Sequence, residues 1–184
     1  MIITPTKIPD VLVVESKKYG DERGFFSEVY KQSVFTEYGF NEVFIQDNHA
    51  YSAEPGVLRG LHYQSPPFAQ DKLVRVVRGS IFDVAVDIRE GSPTFGQWVG
   101  VELSAKNWKQ LLVPKGFAHG YLTLEPDTEV LYKVTNGYAP ECDKGVLWND
   151  PSIAIEWPLE GSPILSAKDE IQPLLADITL EFSY

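Results

Sequence analysis

Residues Lys72–Arg89 read KLVRVVRGSIFDVAVDIR, and this stretch decides the fold class. Valine, isoleucine and phenylalanine alternate with other residues on either side of Gly79, which is the period of a β-strand. Lys72–Arg78 and Ser80–Arg89 therefore read as two strands, and Gly79 between them reads as the turn of a hairpin. Further runs of the same kind follow at short intervals: Val11–Glu15, Gly24–Tyr30, Val43–His49, Val57–Gln64, Trp98–Leu103, Gln110–Val113, Ala118–Glu125, Glu129–Thr135, Val146–Asn149 and Ile153–Trp157. Many short strands at such spacing predict an all-β sandwich or barrel. Helix is scarce. One short helix is predicted over Gln32–Tyr38. Another is predicted over Asp169–Asp177, opened by Ser166 as N-cap with Asp169 three residues on.

Alternation also assigns faces. Lys72 shares one with Val74 and Val76, and Tyr132 shares one with Val130 and Val134. Gln46 and Asn48 are placed together on the face of Phe44. If the valine faces point inward, a lysine, a phenol and two amides enter the barrel. Buried polar groups left unpaired cost about 1–3 kcal/mol each, so several on one interior point to a ligand-filled cavity.

The chain has 184 residues, 16 basic and 26 acidic, for a net charge of −10. That length predicts one domain, 1–184, able to fold without disulfides. The acidic balance argues against nucleic acid and anionic membrane as partners. No apolar run reaches the length of a signal peptide or a membrane span. With Cys142 the only cysteine, no internal disulfide is possible, and a reducing, cytoplasmic setting is expected.

Three histidines are present. His49 reads as structural or exposed. His62, in Leu58-Arg59-Gly60-Leu61-His62-Tyr63-Gln64, is either a satisfied core imidazole or a base working near pH 7. Arg59 would face away from His62 on a straight strand, but a bulge at Gly60 would bring both to one site. His119 lies in Pro114-Lys115-Gly116-Phe117-Ala118-His119, and this Pro-x-Gly-x-x-His spacing matches the second motif of cupin barrels. Metal cupins add a His-x-His pair and a glutamate. Here the first motif is His62-Tyr63-Gln64, and the glutamate is missing. Two histidines are too few for a zinc, iron or manganese site, so no metal is expected. Asp169 is either a carboxylate of the Ser166 capping box or the orienting partner of a histidine.

Taken in order, Asp21-Glu22-Arg23-Gly24-Phe25-Phe26, Gln46-Asp47-Asn48, Leu58–Gln64, Lys72–Val76, Val113–Gly120, Leu131-Tyr132-Lys133 and Trp148-Asn149-Asp150-Pro151 resemble the dTDP-4-dehydrorhamnose 3,5-epimerase family of cupin-fold dTDP-sugar epimerases. The resemblance runs nearly end to end. It implies a cupin jelly roll with a few short helices, normally a homodimer, acting without a cofactor on a dTDP-4-dehydro-6-deoxy sugar. It implies four catalytic groups: His62 as base, Asp169 orienting it, Lys72 facing the enolate oxygen and Tyr132 returning the proton. It further implies that Arg23 and Arg59 meet the diphosphate, and that Gln46, Asp47, Asn48 and His119 belong to the sugar or phosphate contacts. Phe26, Glu28 and Tyr138 would frame the thymine, with Phe26 and Glu28 supplied by the other subunit. Asp143 and Lys168 align with further contacts. Asn136-Gly137-Tyr138 departs from the family, which often has two adjacent tyrosines there. A single-site epimerase would carry almost the same set, whereas a pure binding cupin has no need for both a base and an opposed acid.

Overall fold

The chain changes sheets at Gly79, and the architecture follows from that corner. The computed structural model describes residues 1–184. In chain order the strands are β1 (Ile2–Pro5), β2 (Leu12–Glu15), β3 (Tyr19–Asp21), β4 (Gly24–Phe26), β5 (Gln46–Ser52), β6 (Leu58–Gln64) and β7 (Lys72–Arg78). They continue with β8 (Ser80–Asp87), β9 (Trp98–Ser104), β10 (Lys109–Val113), β11 (Phe117–Thr123), β12 (Thr128–Val134) and β13 (Asp143–Gly145). One sheet has the order β1-β2-β10-β7-β12-β5 and the other β13-β6-β11-β8-β9, while β3 and β4 form a separate ribbon. The result is the all-β jelly-roll barrel expected.

The hairpin around Gly79 is not formed. Arg78 of β7 pairs with Glu129 of β12, whereas Ser80 of β8 pairs with Ser104 of β9. A single linking residue is shorter than the two-residue turn that folds one strand back on its neighbour. Gly79 instead takes φ +74°, and a Cβ there would lie 2.3 Å from Thr128 Oγ1. Glycine is required by both the conformation and the space.

The two sheets enclose a core of Val74, Val76, Leu111 and Val130 from one side and Ile81, Ala85, Leu103 and Phe117 from the other. Each sheet also buries part of its outer face. The helix α1 (Gln32–Glu37) seats Phe35 against Leu73 and Leu112. Six residues cannot hold a helix in water, so α1 depends on this contact. The C-terminal chain lays Ile153, Trp157, Leu175 and Phe182 over Leu61, Val84 and Val86.

Most other predicted strands are present with ends moved by one or two residues, while Gly24–Tyr30 stops at Phe26 and Val43–His49 runs instead from Gln46 to Ser52. The exceptions have local causes. Val146–Asn149 and Ile153–Trp157 are not strands, because Asp150 folds the chain into turns: its carboxylate accepts from the Ser152 and Leu175 backbone N–H groups at 2.7 and 2.6 Å. The predicted helix over Asp169–Asp177 is instead two 3₁₀ turns, Asp169–Ile171 and Leu175–Asp177. Pro173 between them removes a donor and breaks the run. Phe44 precedes β5 and joins the outer cluster around Phe35, so it does not share the inward face of Gln46 and Asn48.

Candidate active site

Two hollows open into the barrel and meet at three side chains. One, of about 430 Å³, is lined by Arg59, His119, Tyr121, Leu165 and Asp169 among others. The second, of about 360 Å³, is lined by Gln46, Asn48, Tyr138, Asp143 and Lys168 among others. His62, Lys72 and Tyr132 line both. His62 comes from β6 in one sheet, Lys72 and Tyr132 from β7 and β12 in the other. A group bound at the junction therefore has an imidazole on one side and a phenol and an ammonium on the other.

A bulge puts His62 and Arg59 on one hollow. His62 pairs with His119 and Arg59 with Tyr121, so two residues of β6, Gly60 and Leu61, stand opposite Gly120 alone. The extra residue turns both side chains inward. Gly60 has φ +134°, and a Cβ on it would lie 2.5 Å from the Gly120 Cα. Of the two alternatives for Arg59, a solvated charge on a straight strand or a bulge at Gly60, the structure has the bulge.

His62 Nε2 is 2.5 Å from Asp169 Oδ1, across 107 positions of sequence. The other oxygen of Asp169 accepts the Ser166 hydroxyl at 2.9 Å, so the capping partner and the histidine share one buried carboxylate. Burial alone would raise the Asp169 carboxyl. The bond and charge of His62, together with Ser166, outweigh it and hold the group below the usual carboxylate range. The carboxylate thus accepts the Nε2 proton, and Nδ1 is left as the basic nitrogen.

Lys72 Nζ donates to the His62 carbonyl at 3.3 Å. Burial pushes its pKa down to about 8, against the opposing charges of Asp83 and Asp143. Tyr132 is pushed up by burial, with Arg59 opposing, so the phenol keeps its proton at neutral pH. His119 Nε2 lies 2.8 Å from Asp83 Oδ1, both side chains buried. Gln46 Nε2 donates to Asn48 Oδ1 at 2.8 Å. At the rim, Lys168 pairs with Asp143, which also accepts the exposed Tyr138 hydroxyl at 3.0 Å. Arg59, Lys72 and Lys168 bring three cationic groups into this cleft, beside the carboxylates of Asp143 and Asp169. No group of three or more histidine, cysteine, aspartate or glutamate side chains converges as a metal site would require.

Four predicted residues are not brought to these hollows. Asp47 points to the opposite face of β5, where Lys133 Nζ lies 2.9 Å away. Alternation dictates this, since its neighbours Gln46 and Asn48 face inward. Arg23, Phe26 and Glu28 lie on or beside the exposed β3–β4 ribbon, with Arg23 paired to Asp21. Two inward groups escaped the sequence reading. Tyr121 lines the first hollow two residues after His119, and Asp83 lies between Ile81 and Ala85 on the core face of β8. Both were marked by alternation, Asp83 as an acid on an otherwise apolar face.

Fold and cleft together define the class: a cupin-type barrel whose interior presents a histidine–carboxylate pair opposite a phenol and an ammonium. The chain belongs to the dTDP-4-dehydrorhamnose 3,5-epimerase family, whose profile matches residues 5–177. It is 57% identical over 176 residues to the enzyme of that name from Salmonella typhimurium, covering 95% of this chain and 96% of that one. A crystal structure from Bacillus anthracis with TDP and PPi bound superposes with a TM-score of 0.91 at 53% identity, covering 94% of this chain and 98% of that one. One from Legionella pneumophila, in complex with dTDP-4-keto-L-rhamnose, gives 0.95 at 48% identity, covering 100% and 98%.

Proposed function

We propose that this chain epimerises dTDP-4-dehydro-6-deoxy-D-glucose at C3 and C5, giving dTDP-4-dehydro-L-rhamnose for dTDP-L-rhamnose synthesis. The observation that carries this reading is that His62 and Tyr132 face one cleft from opposite sheets with Lys72 beside them. The C4 ketone acidifies the protons at C3 and C5. His62 Nδ1 takes one of them, and the electron pair moves onto the C4 oxygen as an enolate. The Lys72 ammonium faces that oxygen. A fixed donor of this kind is worth roughly 3–4 kcal/mol in a site that excludes water. The Tyr132 hydroxyl then returns a proton from the other side, which inverts the carbon. A positioned acid or base contributes about 10²–10⁴-fold. The imidazolium and phenolate exchange protons with solvent, and the cycle repeats at the second carbon. One proton leaves and one arrives at each centre, so the reaction balances without a redox cofactor.

Arg59, His119 and Lys168 supply cationic and hydrogen-bonding groups for a diphosphate, with the guanidinium fork suited to two oxygens. Gln46 and Asn48 meet the sugar or phosphate, and Asp143 steadies Tyr138 and Lys168 at the rim. Tyr138 stacks on the thymine. In a homodimer Phe26 and Glu28 frame the thymine of the neighbouring subunit and Arg23 beside them meets the diphosphate, in keeping with the exposure of all three on or beside the ribbon in one chain. The cytoplasm is the expected setting, since Cys142 is the only cysteine.

Proton NMR of the dTDP-4-dehydro-6-deoxy sugar with the protein in D₂O tests this reading. Deuterium is expected at both C3 and C5, with the L-lyxo product trapped by a reductase. Exchange at one carbon would make the chain a single-site epimerase. No exchange despite dTDP binding would remove the catalytic assignments.

A further inference from the structure

Asp83 is the one buried side chain with an orphaned polar atom. It is fully buried on the inner face of β8, one oxygen bonded to His119 Nε2 at 2.8 Å, while Oδ2 has no hydrogen-bond partner. A buried carboxylate with one bond is costly, and such a group is retained only against compensating charge. Its surroundings can be read strand by strand. From β11 come His119 and Tyr121, and Tyr121 is its cross-strand neighbour. From β9 come only apolar inward side chains, Val99, Val101 and Leu103. From β6 come Arg59 and His62, and from β7 and β12 come Lys72 and Tyr132, all lining the hollow that His119 lines. Among the charges acting on Lys72, Asp83 is the largest that favours its protonated form, ahead of Asp143 from β13, while Lys168 at the rim opposes both.

We infer that Asp83 is a positioning residue for the epimerisation: one carboxylate oxygen fixes the His119 ring, and the buried negative charge keeps the Lys72 ammonium protonated inside the barrel. The inference rests on the role given to Lys72 above. Burial drives Lys72 toward its neutral form, which cannot stabilise an enolate. A fixed carboxylate behind His119 opposes that loss without contacting the substrate. Tyr121 and Tyr132, both pushed up by burial, add no negative charge at neutral pH.

The test is Asp83→Asn in the full chain. Asparagine keeps an acceptor for His119 Nε2–H and removes only the charge. The basic limb of kcat/KM is expected to move down by about one pH unit, a loss approaching tenfold above pH 8 but slight at pH 6.5. A uniform loss at every pH, with limbs unmoved, overturns the proposal. A stability cycle reads the pairing without activity. The Lys72→Met/Asp83→Asn variant should melt several degrees above the value that additivity of the single variants gives. Additive losses, or an Asp83→Asn chain that unfolds and is not recovered by Lys72→Met, make Asp83 a purely structural residue. If Lys72→Met retains full turnover, the role of Lys72 fails instead, and the melting cycle still decides whether the two charges are coupled.

Discussion

His62 and His119 are cross-strand partners on β6 and β11, and each bonds a buried carboxylate through Nε2. The two pairs differ in what surrounds them. Asp169 has its second oxygen satisfied by Ser166, and the His62 side chain is 32% exposed to the cleft. Asp83 leaves its second oxygen free, and the His119 side chain is only 8% exposed. The first pair is open and electrically settled, as suits a base that must gain and lose a proton. The second is closed and under-satisfied, as suits a fixed charge.

His62→Ala should abolish epimerisation while the chain still folds and binds dTDP, because the imidazole opens onto the cleft and Asp169 keeps its bond from Ser166. Asp169→Asn keeps the shape but places an amide where the carboxylate accepts the Nε2 proton, which favours the wrong tautomer. We expect a loss of about 10²-fold or more in kcat with little change in dTDP affinity. Retained turnover in His62→Ala would remove it from the base role.

Tyr132→Phe separates the two half-reactions. The base remains, so deuterium should still enter a substrate carbon from D₂O. The acid on the opposite side is gone, so much of the inversion should be lost. NMR follows both in one sample, and normal epimerisation by this variant would assign the acid to another group.

Lys72 sets the pH range on the basic side. Its pKa is pushed down to about 8 by burial, and in the proposed mechanism the protonated form faces the enolate. On this limb activity should be near full a pH unit below that value, half lost at it, and decline further as the ammonium deprotonates. Tyr132, raised from its ordinary value, titrates later and does not cause that limb. Lys72→Met should lower kcat by roughly two orders of magnitude and remove the limb near pH 8.

Much of this site was legible in single strands. Alternation put Lys72 with Val74 and Val76, and Tyr132 with Val130 and Val134, and both do face inward. It failed at the corners. Gly79 read as a hairpin because alternation gives the period of each strand but not the sheet to which it pairs. Asp169 read ambiguously because its partner lies 107 positions away, and no local pattern encodes that contact. Phe44 was misplaced because it lies before the strand begins, where the period does not apply. The motifs marking the family supplied the pairings that periodicity lacks.

Gly60 allows a stability prediction tied to function. Gly60→Ala must hold φ near +134° and force a methyl to within 2.5 Å of the Gly120 backbone. The strain should cost about 2 kcal/mol or more, read as a lower urea midpoint. Relief of the clash by parting β6 from β11 would also displace Arg59 and His62, so kcat/KM should fall further than stability alone explains. An alanine variant with unchanged midpoint and activity would mean that the bulge tolerates a side chain.

The exposed ribbon makes the oligomer testable through the site. Arg23, Phe26 and Glu28 touch neither hollow of their own chain, whereas Phe26 is 67% exposed beside Phe25 at 54%. If these residues complete the neighbouring subunit's dTDP site, a chain lacking His62 can still lend its ribbon, and a chain lacking Glu28 can still lend its catalytic histidine. His62→Ala and Arg23→Ala/Glu28→Ala variants should each be poorly active alone. Mixed and allowed to exchange subunits, half the dimers become hybrids, and one of the two sites in each hybrid carries no defect. Activity should rise toward ~25% of wild type at equal mixing, in keeping with a two-fold exchange of one element between identical chains. Activity that stays at the sum of the separate variants would place the ribbon outside the neighbour's site and leave each cleft to function alone.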